Sequence, residues 1–179
     1  MIAFPRVHPL VLASSLFLGA CAAPQASRPS VDVPAALKPA DGEALAFTWR
    51  AVGTQIYDCK AGEQGKLGWS FVAPEADLLD SAGYRVGSHG AGPHWASVDG
   101  SRTVGTVKAR VDAQQASDIP WLLLTAKSAG GAGRMAAVAS VQRVNTHAGA
   151  APAEGCTVAA DAGRRVKVPY TAEYVFFTR

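Results

Sequence analysis

Short apolar runs, broken by Gly, Pro and Asp, recur along this chain from residue 41 onward. Leu45–Arg50, Thr54–Cys59 and Gly68–Ala73 are rich in aromatic and β-branched residues, so each is predicted to be a strand; Val52-Gly53 and Gly62–Gly65 supply the breaks. Pro74–Leu79 reads as a loop or a single helical turn, and Asp80–Gly83 as a hairpin loop leading into Tyr84–Gly87. The clearest alternation is in Arg102–Val111: Val107, Ala109 and Val111 share one face, while Thr106, Lys108 and Arg110 share the other. That is the signature of a half-buried strand. Ile119–Ala126 is apolar throughout and predicts a strand covered on both faces, with Pro120 confined to its start.

Farther on, Met135–Val144 puts Ala137, Ala139 and Val141 on one face, which favours a strand over the Ala-rich helix that competes with it. Asn145–Ala162 is small and polar and reads as a long loop, and Val166–Val168 and Ala172–Thr178 close the chain as strands. No amphipathic helix emerges. The expected fold is all-β, a single-domain antiparallel sandwich or barrel of about nine or ten strands over residues 41–179.

A different pattern occupies the first forty residues. Leu10–Ala20 is an unbroken apolar or small-residue run of eleven, preceded by one charged side chain, Arg6. A membrane-spanning helix needs about 20 such residues, so residues 1–20 read as an export signal. Its end, Leu18-Gly19-Ala20-Cys21, resembles the lipobox of bacterial lipoproteins, which implies lipidation of Cys21 after cleavage. Two or three acyl chains, at ~0.8 kcal/mol per buried methylene, would hold such a protein on a membrane. Ala22 in the next position, in place of Asp, resembles the sorting pattern that sends lipoproteins to the outer membrane. Residues 21–40 are rich in Pro, Ala and Ser and read as a tether.

Composition narrows the function classes. Lys plus Arg number 17 against 14 Asp plus Glu, and the basic residues are scattered, so there is no cationic face for nucleic acid. With Cys21 assigned to lipid, Cys59 and Cys156 remain, and outside the reducing cytosol they are expected to form a disulfide. Closing a loop of roughly 100 residues is worth ~4 to 5 kcal/mol by chain entropy.

Candidate chemistry gathers in Ser88–Trp95, which holds His89, His94, two glycines and Trp95 as a stacking platform, with Asp99 nearby in sequence. Binding is one reading of this stretch; the other is a turn with a hydrogen-bonded His89 and a core Trp95. No metal set is complete, because His89 and His94 would lie on opposite faces of one strand. His89–Gly92 is similar to the oxyanion loop of some esterases, but the chain has no G-x-S-x-G. Gly131–Ala136 matches G-x-G-x-x-A without its βαβ context and reads as a hairpin tip, so no nucleotide or other cofactor is expected. Trp49, Trp69, Trp95 and Trp121 read as packing or, alternatively, as a ligand-binding face.

The ordered motifs Val33-Pro34-x-Ala36-Leu37, Gly53-x-Gln55-Ile56-Tyr57-x-Cys59, Trp69-x-Phe71-x-Ala73-Pro74-Glu75-Ala76, Gly92-Pro93-x-Trp95, Asp99-Gly100-Ser101, Ile119-Pro120-Trp121-Leu122-Leu123, Gln142-Arg143-Val144-Asn145-Thr146 and Val168-Pro169-Tyr170 together resemble the DUF3455 family, whose function is unknown. The resemblance runs from about Val33 to Phe177 and brings no activity or catalytic residue with it. The expectation is an exported, lipid-anchored envelope protein that binds a small molecule, a glycan or a protein partner without catalysis. A hydrolase using His89 with an acidic partner and a purely structural envelope protein are the rival readings.

Overall fold

The computed structural model describes residues 32–179. The signal segment, Cys21 and most of the tether lie outside the described residues.

A 3-10 turn at Ala35–Leu37 precedes β1 (Ala44–Ala61), β2 (Leu67–Leu79), β3 (Arg85–Gly90), β4 (His94–Ser97), β5 (Arg102–Val111), β6 (Trp121–Gly130) and β7 (Val138–Ala148). A second such turn at Ala159–Asp161 leads into β8 (Arg165–Thr178). Each strand pairs antiparallel with the next, and β8 returns to β1, so the sheet closes as an eight-stranded up-and-down barrel. Closure leaves no edge strand to protect.

The count is eight, below the nine or ten expected, for identifiable reasons. Val52-Gly53 is no break: β1 runs straight through it, and a Cβ on Gly53 would collide with Glu75 O and Ala76 of β2. Here glycine marks close approach between strands. Pro74 and Pro169 also lie inside strands, opposite Gln55 and Thr54, so β2 and β8 continue where breaks were expected. Pro74 is tolerated beside a bulge, where the β1–β2 register shifts between Ile56 and Tyr57. Conversely, β4 was hidden inside what reads as a turn.

Inward positions alternate large and small. Trp49, Trp95, Tyr174 and Phe176 fill the interior, while Ala51, Ala76, Gly105 and Ala172 make room for them. A Cβ on Gly105 would sit 2.8 Å from Trp95 Cζ3 and 3.2 Å from Leu124 Cδ2. The outer wall carries charge instead: Asp58 pairs with Arg165, Glu75 with Lys167 and Asp77 with Arg85. This alternation is the reverse of a lipid-facing barrel wall, whose outside is apolar. Ala35–Leu37 packs across β5 and β6, and its Leu37 carbonyl accepts a 2.5 Å hydrogen bond from Gln142 Nε2. Leu123 and Leu124 are both 2% exposed on opposite faces of β6, as the apolar run predicts.

The two ends of the barrel differ. At one, the β6–β7 loop folds inward: Arg134 N donates to Asp99, Met135 N donates to Ser101 Oγ, and the Met135 side chain is fully buried as a plug. At the other, the β3–β4, β5–β6 and β7–β8 connections surround an opening. Cys59 and Cys156 form the expected disulfide, with Cα atoms 5.4 Å apart, and it ties the β7–β8 loop to β1 beside that opening. Trp69 Nε1 adds a 2.9 Å hydrogen bond to Glu154 O in the same loop.

Candidate functional site

The open end leads into a cavity of about 720 Å³. Its rim is built from Phe71, Val72, Val107, Ala113 and Ala150, and its floor from Gln55, Trp95, Leu124, Arg143 and Tyr174. Phe71 is 54% exposed and Val107 52% exposed, so apolar surface faces solvent at the entrance. Volume and lining are those of a small-molecule site: mostly apolar walls with a few placed polar groups.

Strand geometry explains the floor. Arg143 of β7 is directly opposite Tyr174 of β8 and Leu122 of β6, and paired residues share a face, so all three point inward. Arg143 Nε and Nη2 donate to Pro120 O at 3.0 and 2.8 Å. Among the described residues it has no carboxylate partner. Its charge nevertheless reaches Tyr57, His89, Tyr170 and Tyr174, lowering the pKa of each. Burial outweighs it for the three tyrosines, whose pKa values are raised, so their hydroxyls stay protonated. Tyr170 and Tyr174 influence one another across the interior, yet neither hydroxyl closes a hydrogen bond of normal geometry. Gln55 Nε2 and Trp95 Nε1 are likewise buried without a partner among the described residues.

The sequence candidates are distributed unevenly. His89 and Trp95 are opposite one another in the β3–β4 pair and both line the cavity; their rings stack with centroids 4.8 Å apart. Tyr174 leans on both rings, at 4.8 and 5.4 Å. His94 contributes its carbonyl to His89 Nδ1 at 2.8 Å, while its own ring bonds Ala91 O. Asp99 sits in the β4–β5 turn, where it accepts from Ser101 N, Ser101 Oγ and Arg134 N. Those donors hold its carboxyl well below the usual carboxylate range, with the Ser101 hydroxyl the largest cause. It therefore fastens the closed end and does not meet His89. Of the four tryptophans, Trp95 alone is among the cavity-lining residues. Among the described residues, no three His, Cys, Asp or Glu side chains cluster in a way that would hold a metal ion.

Burial drives the His89 pKa down to about 3, so the ring is neutral, with its Nδ1–H donating to the His94 carbonyl and Nε2 as an acceptor. The unfolded chain, titrating near 6.5, takes up this proton first as pH falls. Stability is thus full above that value and drops by about 1.4 kcal/mol per pH unit below it, down to the folded pKa. Denaturant unfolding at pH 6.5 and pH 4.5 should differ by roughly 2–3 kcal/mol. His89→Gln should remove most of that difference; an unchanged slope in the variant would assign the acid sensitivity elsewhere.

Gln55 and Arg143 stand in the sequence only as parts of the family motifs and Tyr174 only as part of a closing strand; the structure brings all three to the cavity. The signal was available for Arg143, which stands two residues after the buried Val141 and so shares its inward face. A charged residue on the core-facing side of a strand is the kind of exception that marks a site.

Fold and cavity together define a class: a closed eight-stranded antiparallel barrel, plugged at one end and open to a cavity at the other. Within it, the chain belongs to the DUF3455 family, described as a protein of unknown function, whose model matches residues 39–178. Comparison with curated proteins and with solved structures finds no match.

Proposed function

We propose that this protein is a binding module of the cell envelope that takes a small molecule into the open end of its barrel. The observation that carries this reading is the cavity of about 720 Å³, which combines apolar walls with partnerless polar groups at its floor. Barrels of eight strands have an interior wide enough for one small ligand when side chains do not fill it. The hydrolase reading has less to stand on: His89 is engaged by a backbone carbonyl, its low pKa makes it a weak base, and Asp99 is committed to Ser101 and Arg134.

The neutral fluorophore phenylnaphthylamine tests this reading. Saturable binding with one site per chain is expected, and Val107→Trp, which places a large ring at the rim, should weaken it at least tenfold with the melting temperature unchanged. Equal binding by the variant would move the site away from the opening. Attachment through lipid on Cys21 is part of the proposal and rests on the lipobox resemblance. Metabolic labelling with palmitate that persists in Cys21→Ser would remove it.

A further inference from the structure

The cavity floor is a surplus of hydrogen-bond donors around an unpaired cation. We infer that the molecule it takes is an amphiphile bearing one carboxylate, held by Arg143 with Gln55, Trp95 and Tyr174; this rests on the small-molecule reading of the same cavity.

Three observations converge. First, Arg143 spends Nε and one Nη2 hydrogen on Pro120 O, and beyond the neighbouring Tyr174 hydroxyl, with which it closes no bond of normal geometry, its remaining N–H groups have no side-chain partner among the described residues. A guanidinium has five N–H donors in a planar fork that suits a carboxylate. Second, Gln55, Trp95 and Tyr174 line the cavity on residues 2%, 0% and 1% exposed; among the described residues Trp95 Nε1 has no partner, and Gln55 Nε2 and the Tyr174 hydroxyl close no hydrogen bond of normal geometry, Gln55 lying beside Tyr170 and the Tyr174 hydroxyl beside Tyr170 and Arg143. An indole N–H has no alternative to donating, and a buried donor left unpaired is costly. Third, the acidic residues of the lining are already engaged at the rim: Asp112 pairs with Arg110, and Asp118 accepts from Ala148 N and Ser117 Oγ.

The acceptors at the floor, Gln55 Oε1 and His89 Nε2, are neutral and do not balance the charge. A water molecule accepts two hydrogen bonds and also leaves the charge unbalanced. One carboxylate offers two oxygens with about four acceptor sites and neutralises Arg143 in the same step. The rest of the ligand is apolar, since Phe71, Val72, Pro74, Val107 and Leu122 line the path out to solvent. The head group enters first and the body fills the mouth.

Competition against phenylnaphthylamine separates this inference from the reading beneath it. Decanoate should displace the fluorophore at a concentration at least ten times lower than decanol does, although decanol is the more apolar of the two. Arg143→Gln should abolish that preference and leave decanol within about threefold of its wild-type value, while Arg143→Lys should keep part of it. If phenylnaphthylamine binds and decanol displaces it as well as decanoate does, the cavity stands and the carboxylate inference falls. If the fluorophore does not bind at all, the small-molecule reading itself fails. Should the Arg143 variants not fold, the comparison of acid and alcohol on the unaltered protein decides by itself.

Discussion

Cys156→Ser is expected to lower the unfolding free energy by about 4 kcal/mol, measured by denaturant unfolding under non-reducing conditions. The two cysteines are 97 residues apart in sequence, so the bridge removes a large share of the unfolded chain's freedom. Its local effect is as specific. Cys59 N donates to Arg164 O and Gly163 N donates to Cys59 O, so the same stretch of β1 grips the β7–β8 loop by backbone as well. Ala150 and Ala151 of that loop form part of the rim. Loss of the bridge should therefore loosen the opening before the barrel melts, visible as faster amide exchange at Gly155–Gly163 than in β7. A variant as stable as the parent would show that the barrel needs no staple.

Trp95→Ala carries the second large effect, a loss of about 3–5 kcal/mol, because it empties the centre of the barrel. Trp95 is fully buried, stacks on His89 and meets Tyr174 and Phe176 edge-on. Gly105 exists in this fold to admit that indole. Gly105→Ala alone should cost about 1–3 kcal/mol through overpacking. The two changes touch each other, so they should not add: in a Trp95→Ala background, Gly105→Ala should cost little or nothing. Simple additivity in this cycle would mean that the close approach of Gly105 to the ring does not constrain the core.

Much of the barrel was legible from side-chain alternation. Arg102–Val111 is bounded as its pattern indicates, and Pro120 stands just before β6. The misreadings share one physical origin. Gly53, Pro74 and Pro169 carry local signals for breaking a strand, but a closing barrel uses such residues inside strands, where two backbones approach or a ladder bond is missing. Two pairs of predicted strands thus merge into β1 and β8, and β4 is added between the turns at 91–93 and 98–101. The ambiguity between sandwich and barrel could not be resolved locally, because closure depends on β1 meeting β8 across more than a hundred residues.

The site was legible in part. His89 and Trp95 were found because His and Trp are conspicuous in a chain of small residues. Their partners Gln55, Arg143 and Tyr174 lie on three other strands, and only the register brings them together. Asp99 shows the opposite failure. Nearness in sequence placed it with His89, but the hairpin carries it to the plugged end, where it fastens the β6–β7 loop.

The proposed occupant of the open cavity is a small molecule. The most direct measurement is mass spectrometry of what is released on denaturing the protein purified from its native envelope, with Val107→Trp prepared in parallel. One small, apolar-bodied compound in near-stoichiometric amount is expected from the unaltered protein, and its loss from the variant. Equal recovery from both, or nothing above background from a folded wild-type sample that also fails to bind phenylnaphthylamine, would contradict it.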